Sequence, residues 1–501
     1  MAKLFARIRE AVGVAFGADL PVVRQISGAA RHLLNRLRAA SPYDAAQTTN
    51  NNSRRWQYAN DLNANALNSP DFRRILRTRS RYEVRNNSYA DGMIQTLVNY
   101  VIGTGPRLEV KTEDAELNGK IEKAFNEWIT ASGFWKKLCL ARRTKIEDGE
   151  VFIIKAKNPK LKTRIKNDLQ LIEPELCTSA VYDLYNVNMA DGIEFDDFGN
   201  PSKYHFLTRY PGPVGTARVP FETKTIRAEN IIHWFRQDKP GQKRGVPEIT
   251  PALELYSMLR AFTLSVIDAA QTAANFSMLA YTDQAAQTRK VDPFTEFEPE
   301  RNTLTFLPAG WKMAQPKAEQ PATSYSEFKH ELLNEIARCL NMPYNIAAAN
   351  SSDYNYASGQ LDHQSFYKFI KTERKEIEDT ILNDVFEWFL SAYFLQYGLP
   401  RGLDAIDVPV SWVWPGFGMI DPLKEAKAQQ VRLENGTTSL QQECAREGTD
   451  WETIQDQRLV AEQRERARRE ELGLESIEET EEAVEAQRIR RAVETVIDER
   501  D

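Results

Sequence analysis

The sequence predicts an α+β protein in which helix predominates. Three observations predict it. β-type alternation dominates one internal stretch, from Gly149 to Ile232. Helical spacing flanks that stretch on both sides. After Thr250-Pro251, about thirty residues pass with only Glu254, Arg260 and Asp268 charged. A helix that long and that poor in charge must be buried on most sides by something.

At 501 residues the chain is long enough for several domains and large cores. A net charge of -6 argues against a protein whose whole surface grips nucleic acid. The charge is uneven. Residues 1–85 carry 15 Lys/Arg against 6 Asp/Glu, a difference of +9. Residues 421–501 carry 13 against 22, a difference of -9. A basic arm and an acidic tail follow, each also readable as a solvated helical segment. Cys139, Cys177, Cys339 and Cys444 are far apart, with no Cys-x-x-Cys and no His at zinc spacing. A disulfide framework is therefore not expected, which suits a reducing compartment.

From the N-terminus, Lys3, Arg7 and Arg9 precede a short apolar run, Ala11–Ala18, interrupted at its start by Glu10. That reads as an amphipathic helix rather than a signal peptide. No stretch reaches the roughly 18 apolar residues of a membrane span, so no membrane partner is expected. Residues 41–70 are rich in Asn, Ala and Ser and read as an extended arm. Asp71–Ile102 shows helical spacing with a basic face of Arg73, Arg74, Arg77, Arg81 and Arg85, and Gly103-Thr104-Gly105-Pro106 ends it. Leu108–Val110 is a short strand. Residues 113–148 return to helix, with Ile121, Phe125, Trp128 and Ile129 on one stripe.

The β stretch contains strands at Val151–Ala156 and Leu169–Ile172, a hairpin turning at Gly199-Asn200, and a last strand at Glu229–Phe235. Lys239–Pro251 then makes a rigid basic turn. It ends in Thr250 as an expected helix N-cap and Pro251 at the first helical position. The helix from Pro251 to about Tyr281 carries a stripe of Leu255, Leu259, Phe262, Val266, Ala270 and Ala273. A β-like insert follows, with Asn302–Leu307 as its clearest strand. A second helix spans about Ser324–Leu340. A polar loop from Tyr344 to Tyr356 precedes a long helix from about Ser358 to Tyr397. The remainder is Glu/Arg/Ala-rich and helical, and frays from about Glu462.

Catalytic signatures are mostly missing. There is no phosphate-cradling Gly-x-x-x-x-Gly-Lys-Ser/Thr loop, no Gly-x-Ser-x-Gly elbow and no His-Glu-x-x-His. Gly103-Thr104-Gly105 reads as a turn. Asp191, Glu194, Asp196 and Asp197 could hold a hard cation, as a metal-dependent nuclease would need. Alternation places Glu194 and Asp196 on one hairpin face, so an ordinary hairpin is favoured. Pro174 of Glu173-Pro174-Glu175 marks a strand end. His330, Asp362 and His363 read as surface groups, and His233 as a hydrogen-bonded core residue. Phosphate contact is the other chemistry open to Lys239, Lys243 and Arg244, and to the basic face from Arg73 to Arg85. The segment Ala349–Tyr356, with Asn350, Ser351, Ser352, Asp353 and Asn355, is polar and framed by aromatics. That composition suits a sliding surface, because a grip on six to ten phosphates would bind tightly and salt-dependently.

The order of motifs resembles the lambda-like family of tailed-phage portal proteins. The residues are Arg85–Ala90 with Val101–Gly105, Leu171–Pro174, Gly192–Asp196 with Gly199-Asn200-Pro201 and Tyr204, and Ile232-His233 with Pro240–Pro247. Later come Phe328 through Ile336-Ala337, Pro343, Asn355–Ser358, and Trp414-Pro415 with Ile420-Asp421-Pro422. Ala357 departs from the family, which often has Ser there. The similarity covers roughly residues 50 to 475.

The resemblance implies a portal fold closing into a ring, usually of twelve subunits, at one capsid vertex. It assigns residues 1–70 to a basic arm, 71–247 to an α/β wing, 248–281 and 323–341 to stem helices, and 282–322 to a clip. It assigns 342–357 to a tunnel loop, 358–420 to connecting helices and 421–501 to a crown with an acidic tail. Asn345, Asn350, Ser351, Ser352, Asp353 and Asn355 would face the channel, and Lys239, Lys243 and Arg244 would mark the wing–stem junction. Implied partners are other copies of the chain, double-stranded DNA without sequence specificity, the terminase large subunit, major capsid and scaffold proteins, and head-completion proteins. The implied place is the virion after assembly in the host cytoplasm. No cofactor and no catalysis are expected. A helical scaffold without a channel is the remaining alternative.

Overall fold

The computed structural model describes residues 61–178, 189–208, 222–275, 279–282, 311–314, 322–352, 354–398, 408–417, 422–447 and 451–472, with Arg54, Gln57, Ala59 and Thr449 singly. The basic arm up to residue 53, the strand expected at Asn302–Leu307, and Asp353 lie outside the described residues.

Helix α1 spans Pro70–Asn86, with Ser69 accepting from the Phe72 N–H and proline in its first turn. It does not run on to Ile102 as expected. Asn87 leaves the helical region, accepts from the Tyr89 N–H and starts α2, Ser88–Val101. Its amide also donates to the Tyr256 carbonyl at 3.2 Å. Asparagine is a strong N-cap, so one residue both ends a helix and begins the next. Residues 113–148 likewise split into α3, Ala115–Ser132, and α4, Phe134–Asp148, at left-handed Gly133.

Strands β2 (Glu150–Lys157), β3 (Asn167–Ile172) and β8 (Ile231–Phe235) form an antiparallel sheet in the order β3-β2-β8. A second antiparallel sheet holds β4 (Met189–Ala190), β5 (Ile193–Phe195), β6 (Pro201–Leu207) and β7 (Thr223–Arg227). Strand β1, Arg107–Val110, pairs with β11, Val410–Val413, and aligns Leu108 with Trp412.

Thr250 is not the N-cap anticipated. A 3₁₀ turn at Thr250–Ala252 leads into helix α5, Leu253–Asn275, and the Thr250 hydroxyl donates to the Pro247 carbonyl. The helix is 23 residues long, about 35 Å at ~1.5 Å per residue, shorter than the span to about Tyr281 that the sequence predicts. Leu279–Thr282 is strand β9, paired with β10, Trp311–Ala314. Helix α6, Ala322–Arg338, matches expectation, and its Tyr325 stacks on Phe262 of α5 at 5.6 Å. A single turn, α7 (Tyr344–Ala347), interrupts the polar loop. The long helix is α8 (Tyr356–Ile377), a widened π turn at Glu378–Leu382, and α9 (Asn383–Tyr397). The widened turn presents Glu378 and Asn383 to the indole N–H groups of Trp414 and Trp412, at 2.6 and 2.9 Å. Helices α10 (Pro422–Glu434), α11 (Leu440–Arg446) and α12 (Trp451–Glu471) follow.

One large core joins α2, α3, α4, α8 and α9 to one face of the β2 sheet. At its centre Phe125 meets Phe386 and Phe389 edge-on, and Trp128 donates to the Asn167 carbonyl. A smaller core of Phe152, Cys177, Ile193, Tyr204, Phe206 and Ile231 joins the two sheets.

Candidate functional site

The turn from Arg236 to Glu248 lies against the start of β2. Its frame is the buried Gln242, to which no charge or spacing in the sequence draws attention. Its carbonyl accepts from the Asp238 and Lys239 N–H groups, and its amide donates to the Arg236 and Arg244 carbonyls. Gly245 reaches the strand so closely that an added Cβ would sit 2.1 Å from the Gly149 carbonyl oxygen. Only glycine fits there.

Arg244 is not a surface cation, which corrects its reading as a phosphate contact. Its guanidinium grips both Glu150 oxygens at 2.8–3.0 Å and reaches the Cys177 and Pro174 carbonyls. It also bonds Asp191 Oδ2 at 3.2 Å. Glu150 is fully buried and takes further bonds from Arg77 at 2.8 Å, His233 at 3.0 Å and the Gly245 N–H at 3.0 Å. Burial alone would raise the Glu150 carboxyl. The charge of Arg244, the His233 bond and the charge of Arg77 outweigh it and hold the carboxyl well below its ordinary range. Burial pushes His233 down, against the pull of Glu150.

The basic face of α1 feeds the same cluster. Arg73 pairs with Asp191 and is lowered to about 10, by burial first and by the neighbouring charge of Arg244 second. Arg81 grips Asp148 at 2.6 and 2.7 Å and reaches Glu175 at 3.0 Å. Arg73, Arg77 and Arg81 therefore hold protein carboxylates rather than phosphates. Arg74 and Arg85 remain exposed. Lys243 lies 4.0 Å over the Phe195 ring and donates to the Gly199 carbonyl, whereas Lys239 is exposed.

A second buried cluster sits beside it. Arg142 reaches both Glu248 oxygens at 3.0 Å and Glu373 at 2.9 Å. Lys145 and the Trp234 indole converge on Glu376 Oε1 at 2.7 and 2.8 Å. This ties α4, β8 and α8 to the residues just before α5.

The carboxylates that a nuclease would need do not converge. Asp191 serves Arg73 and Arg244, and Glu194 serves Lys203 and His205. Asp196 accepts from the Phe198 and Asn200 N–H groups inside the hairpin turn. Among the described residues no three potential ligands group together. Nor is any described helix long and apolar enough to cross a membrane.

The polar loop after α6 is tightly turned. Asn345 is buried, with its amide 3.0 Å from His363 Nε2, so it cannot face open solvent in this chain alone. His330 stacks on Tyr344 at 3.9 Å. Asn350 accepts from Ser352 N–H, left-handed Ala349 precedes it, and Asn355 caps α8 through the Ser358 N–H. Asn350, Ser351, Ser352 and Asn355 are exposed.

Helix α5 is buried at its start, and further along Phe262 packs on Tyr325 and Phe328 of α6. Ala252, Leu253, Tyr256 and Leu259 are buried, but Met258 is 60% exposed, and Leu264 and Ile267 are also open.

The description "phage portal protein, lambda family" belongs to a family model that matches residues 49–374. This chain belongs to that family. Portal relatives extend the likeness beyond the match. A probable portal protein of Halomonas phage phiHAP-1 is 24% identical over 421 residues, covering 76% of this chain and 79% of its own. Portal protein B of Escherichia phage lambda is 21% identical over 430 residues, covering 74% and 80%. A chain from the virion of a native gene transfer agent particle has a TM-score of 0.44 at 14% identity, covering 74% of this chain and 92% of that one. The portal assignment rests on the family match. That match takes in the Glu150–Arg244 cluster, the second cluster apart from Glu376, α5, α6 and the polar loop.

Proposed function

We propose that copies of this portal chain close into a ring, twelve by family habit, whose centre conducts double-stranded DNA into the capsid and out again. The observation that carries this reading is the exposed apolar pair Leu264 and Ile267, which lie together on one face of α5. They stay exposed in this chain, although Phe262 nearby packs on Tyr325 and Phe328 of α6. A ring covers such a face with the same helix of the next copy, through head-to-tail interfaces. The small residues around these positions let helices approach closely.

On this reading residues 71–247 are the wing, 248–281 and 323–341 the stem, 282–322 the clip, 342–357 the tunnel loop, 358–420 the connecting helices and 421–501 the crown and acidic tail. Residues 1–70 form a basic arm. The role is structural, without catalysis or cofactor. The terminase large subunit supplies ATP hydrolysis and docks at the clip, where head-completion proteins later bind. Major capsid and scaffold proteins surround the ring, which is assembled in the host cytoplasm and retained in the virion. Lys239 is the member of the basic junction left free to meet a passing backbone, and Asn350, Ser351, Ser352 and Asn355 offer DNA a neutral, polar surface.

A negative-stain image of the assembled protein tests this. A ring with a hole of DNA width is expected. A strictly monomeric protein, under assembly conditions and in procapsids alike, would overturn it. Deleting residues 350–355 should leave rings intact and impair packaging or retention of DNA. Normally filled particles from that variant would remove the tunnel role.

A further inference from the structure

The β5–β6 hairpin ends in an aromatic finger. Phe198 at its tip is 92% exposed, yet the turn that carries it is held at several points. Asp196 Oδ1 accepts from the Phe198 and Asn200 N–H groups at 3.0 and 2.7 Å, and the Gly199 N–H returns to the Asp196 carbonyl at 2.9 Å. Lys243 closes the base of the turn through the Gly199 carbonyl and the Phe195 ring. A large apolar side chain held rigid and out in water matches the anchor residues of protein interfaces, which lose little entropy on docking. Asp197 beside it is exposed and gives the tip a negative charge.

A groove of complementary character lies elsewhere on the same chain. It has a volume of ≈ 950 Å³ between α3, the β2–β3 connection and the end of α9. Trp128, Ile165 and Tyr397 give it an apolar wall, and Lys123, Lys162 and Arg164 stand around it. Arg164 lies 5.7 Å over the Tyr397 ring. Of the carboxylates that also line it, Glu122 accepts from the Val110 N–H at 2.7 Å, and Glu127 is exposed.

Finger and groove stand at opposite ends of one ladder. Lys157 pairs with Asn167 at the groove end, and Phe152 pairs with Ile172 at the other. Beyond that second end, Glu150 holds Arg244, the neighbour of Lys243 beneath the finger. From Glu150 to Lys157 the strand advances seven residues, about 23 Å at ~3.3 Å per residue. One chain therefore cannot seat its own finger. Two complementary patches at opposite ends of a subunit are what a head-to-tail ring contact requires.

We propose that Phe198 of one subunit docks in the Tyr397–Arg164 groove of a second copy of this chain, with Asp197 facing the basic rim. This wing-to-wing contact rests on the ring reading above.

Cysteine cross-linking of the full-length assembled protein tests it. Phe198→Cys combined with Thr163→Cys, a groove residue, should give a ladder of covalent oligomers on a non-reducing gel after mild oxidation. Neither single variant should give it. Phe198→Ala should raise the protein concentration needed for half-assembly by about tenfold or more, the usual effect of losing an interface anchor. Asp197→Lys should raise it about threefold, and adding Arg164→Asp should restore assembly. Wild-type rings with no ladder from the double-cysteine variant, or with unchanged assembly of Phe198→Ala, would overturn the contact and leave the ring standing. Absence of rings from the wild type would overturn the ring reading itself, and the contact with it.

Discussion

The Arg244–Glu150 cluster lies just before the start of α5, yet it and the outer face of that helix are opposite kinds of surface. In the cluster every charged group is enclosed. Glu150 takes bonds from Arg77, Arg244, His233 and Gly245, and Arg244 spends its donors on Glu150, the Asp191 carboxylate and the carbonyls of Cys177, Pro174 and Asp191. On α5 apolar side chains stand in water. The first region is finished within one chain. The second is left open within one chain, and on the proposed ring reading another copy covers it. A buried charge cluster is a poor source of net stability but a strong source of specificity, because each member is costly to leave unpaired. This one fixes α1, the two sheets and the turn before α5 relative to one another. It holds the launching point of α5 while leaving the helix open to neighbours.

The contrast can be broken first at its centre. Glu150→Gln should destabilise the fold by about 3–5 kcal/mol, because two guanidinium groups then lose their buried counter-charge. Chemical denaturation of the unassembled chain measures it. A loss below 1 kcal/mol would show that the cluster relaxes freely. Gly245→Ala comes next, at about 1–3 kcal/mol, since the new methyl would meet the Gly149 carbonyl at 2.1 Å. Asn87→Ala should cost about 1 kcal/mol through the lost cap of α2, read in the same assay.

The pH dependence sharpens the same comparison. His233 and Glu150 both have depressed values in the folded state. Their stabilisation is complete above the unfolded values of 6.5 and 4.5. As pH falls below 6.5 the unfolded chain protonates its histidine first, so stability declines, and it declines further below 4.5 as Glu150 follows. Denaturation midpoints between pH 7 and 4 should fall accordingly, and His233→Gln should flatten the upper part of that slope. An unchanged slope would remove His233 from the account.

The smallest expected effect on the single chain belongs to the other region. Ile267→Lys should alter monomer stability by less than about 0.5 kcal/mol, as exposed substitutions do. Its effect on assembly should be large, with rings replaced by monomers in sizing chromatography. A variant that unfolds, or one that still forms rings, would end the contrast between the two regions.

Much of the element order was legible because periodicity and punctuation reported it. The hairpin turning at Gly199-Asn200, the strand at Leu108–Val110 and the helix from about Ser324 were all readable from local pattern. So was His233 as a hydrogen-bonded core residue. The breaks at Asn87 and Gly133 were missed because helical spacing continues on either side of them, and a single cap residue interrupts no stripe. The end of α5 near Asn275 was missed because small residues suit helix and loop alike. Thr250 was misread because its hydroxyl found the Pro247 carbonyl, a partner no spacing rule supplies.

The charged residues divide along the same line. By itself the sequence determined the order of most of the helices and several of the strands, that one helix is unusually poor in charge, and that a basic turn precedes it. Those properties follow from local propensity and periodicity, which act over a few residues. The tertiary structure alone decided that Arg73, Arg77 and Arg244 face inward to Glu150 and Asp191, and that Leu108 pairs with Trp412. A charge is written in the sequence as a sign. Its partner is set by where distant segments meet, and so is the difference between an arginine that touches DNA and one that holds a sheet in place.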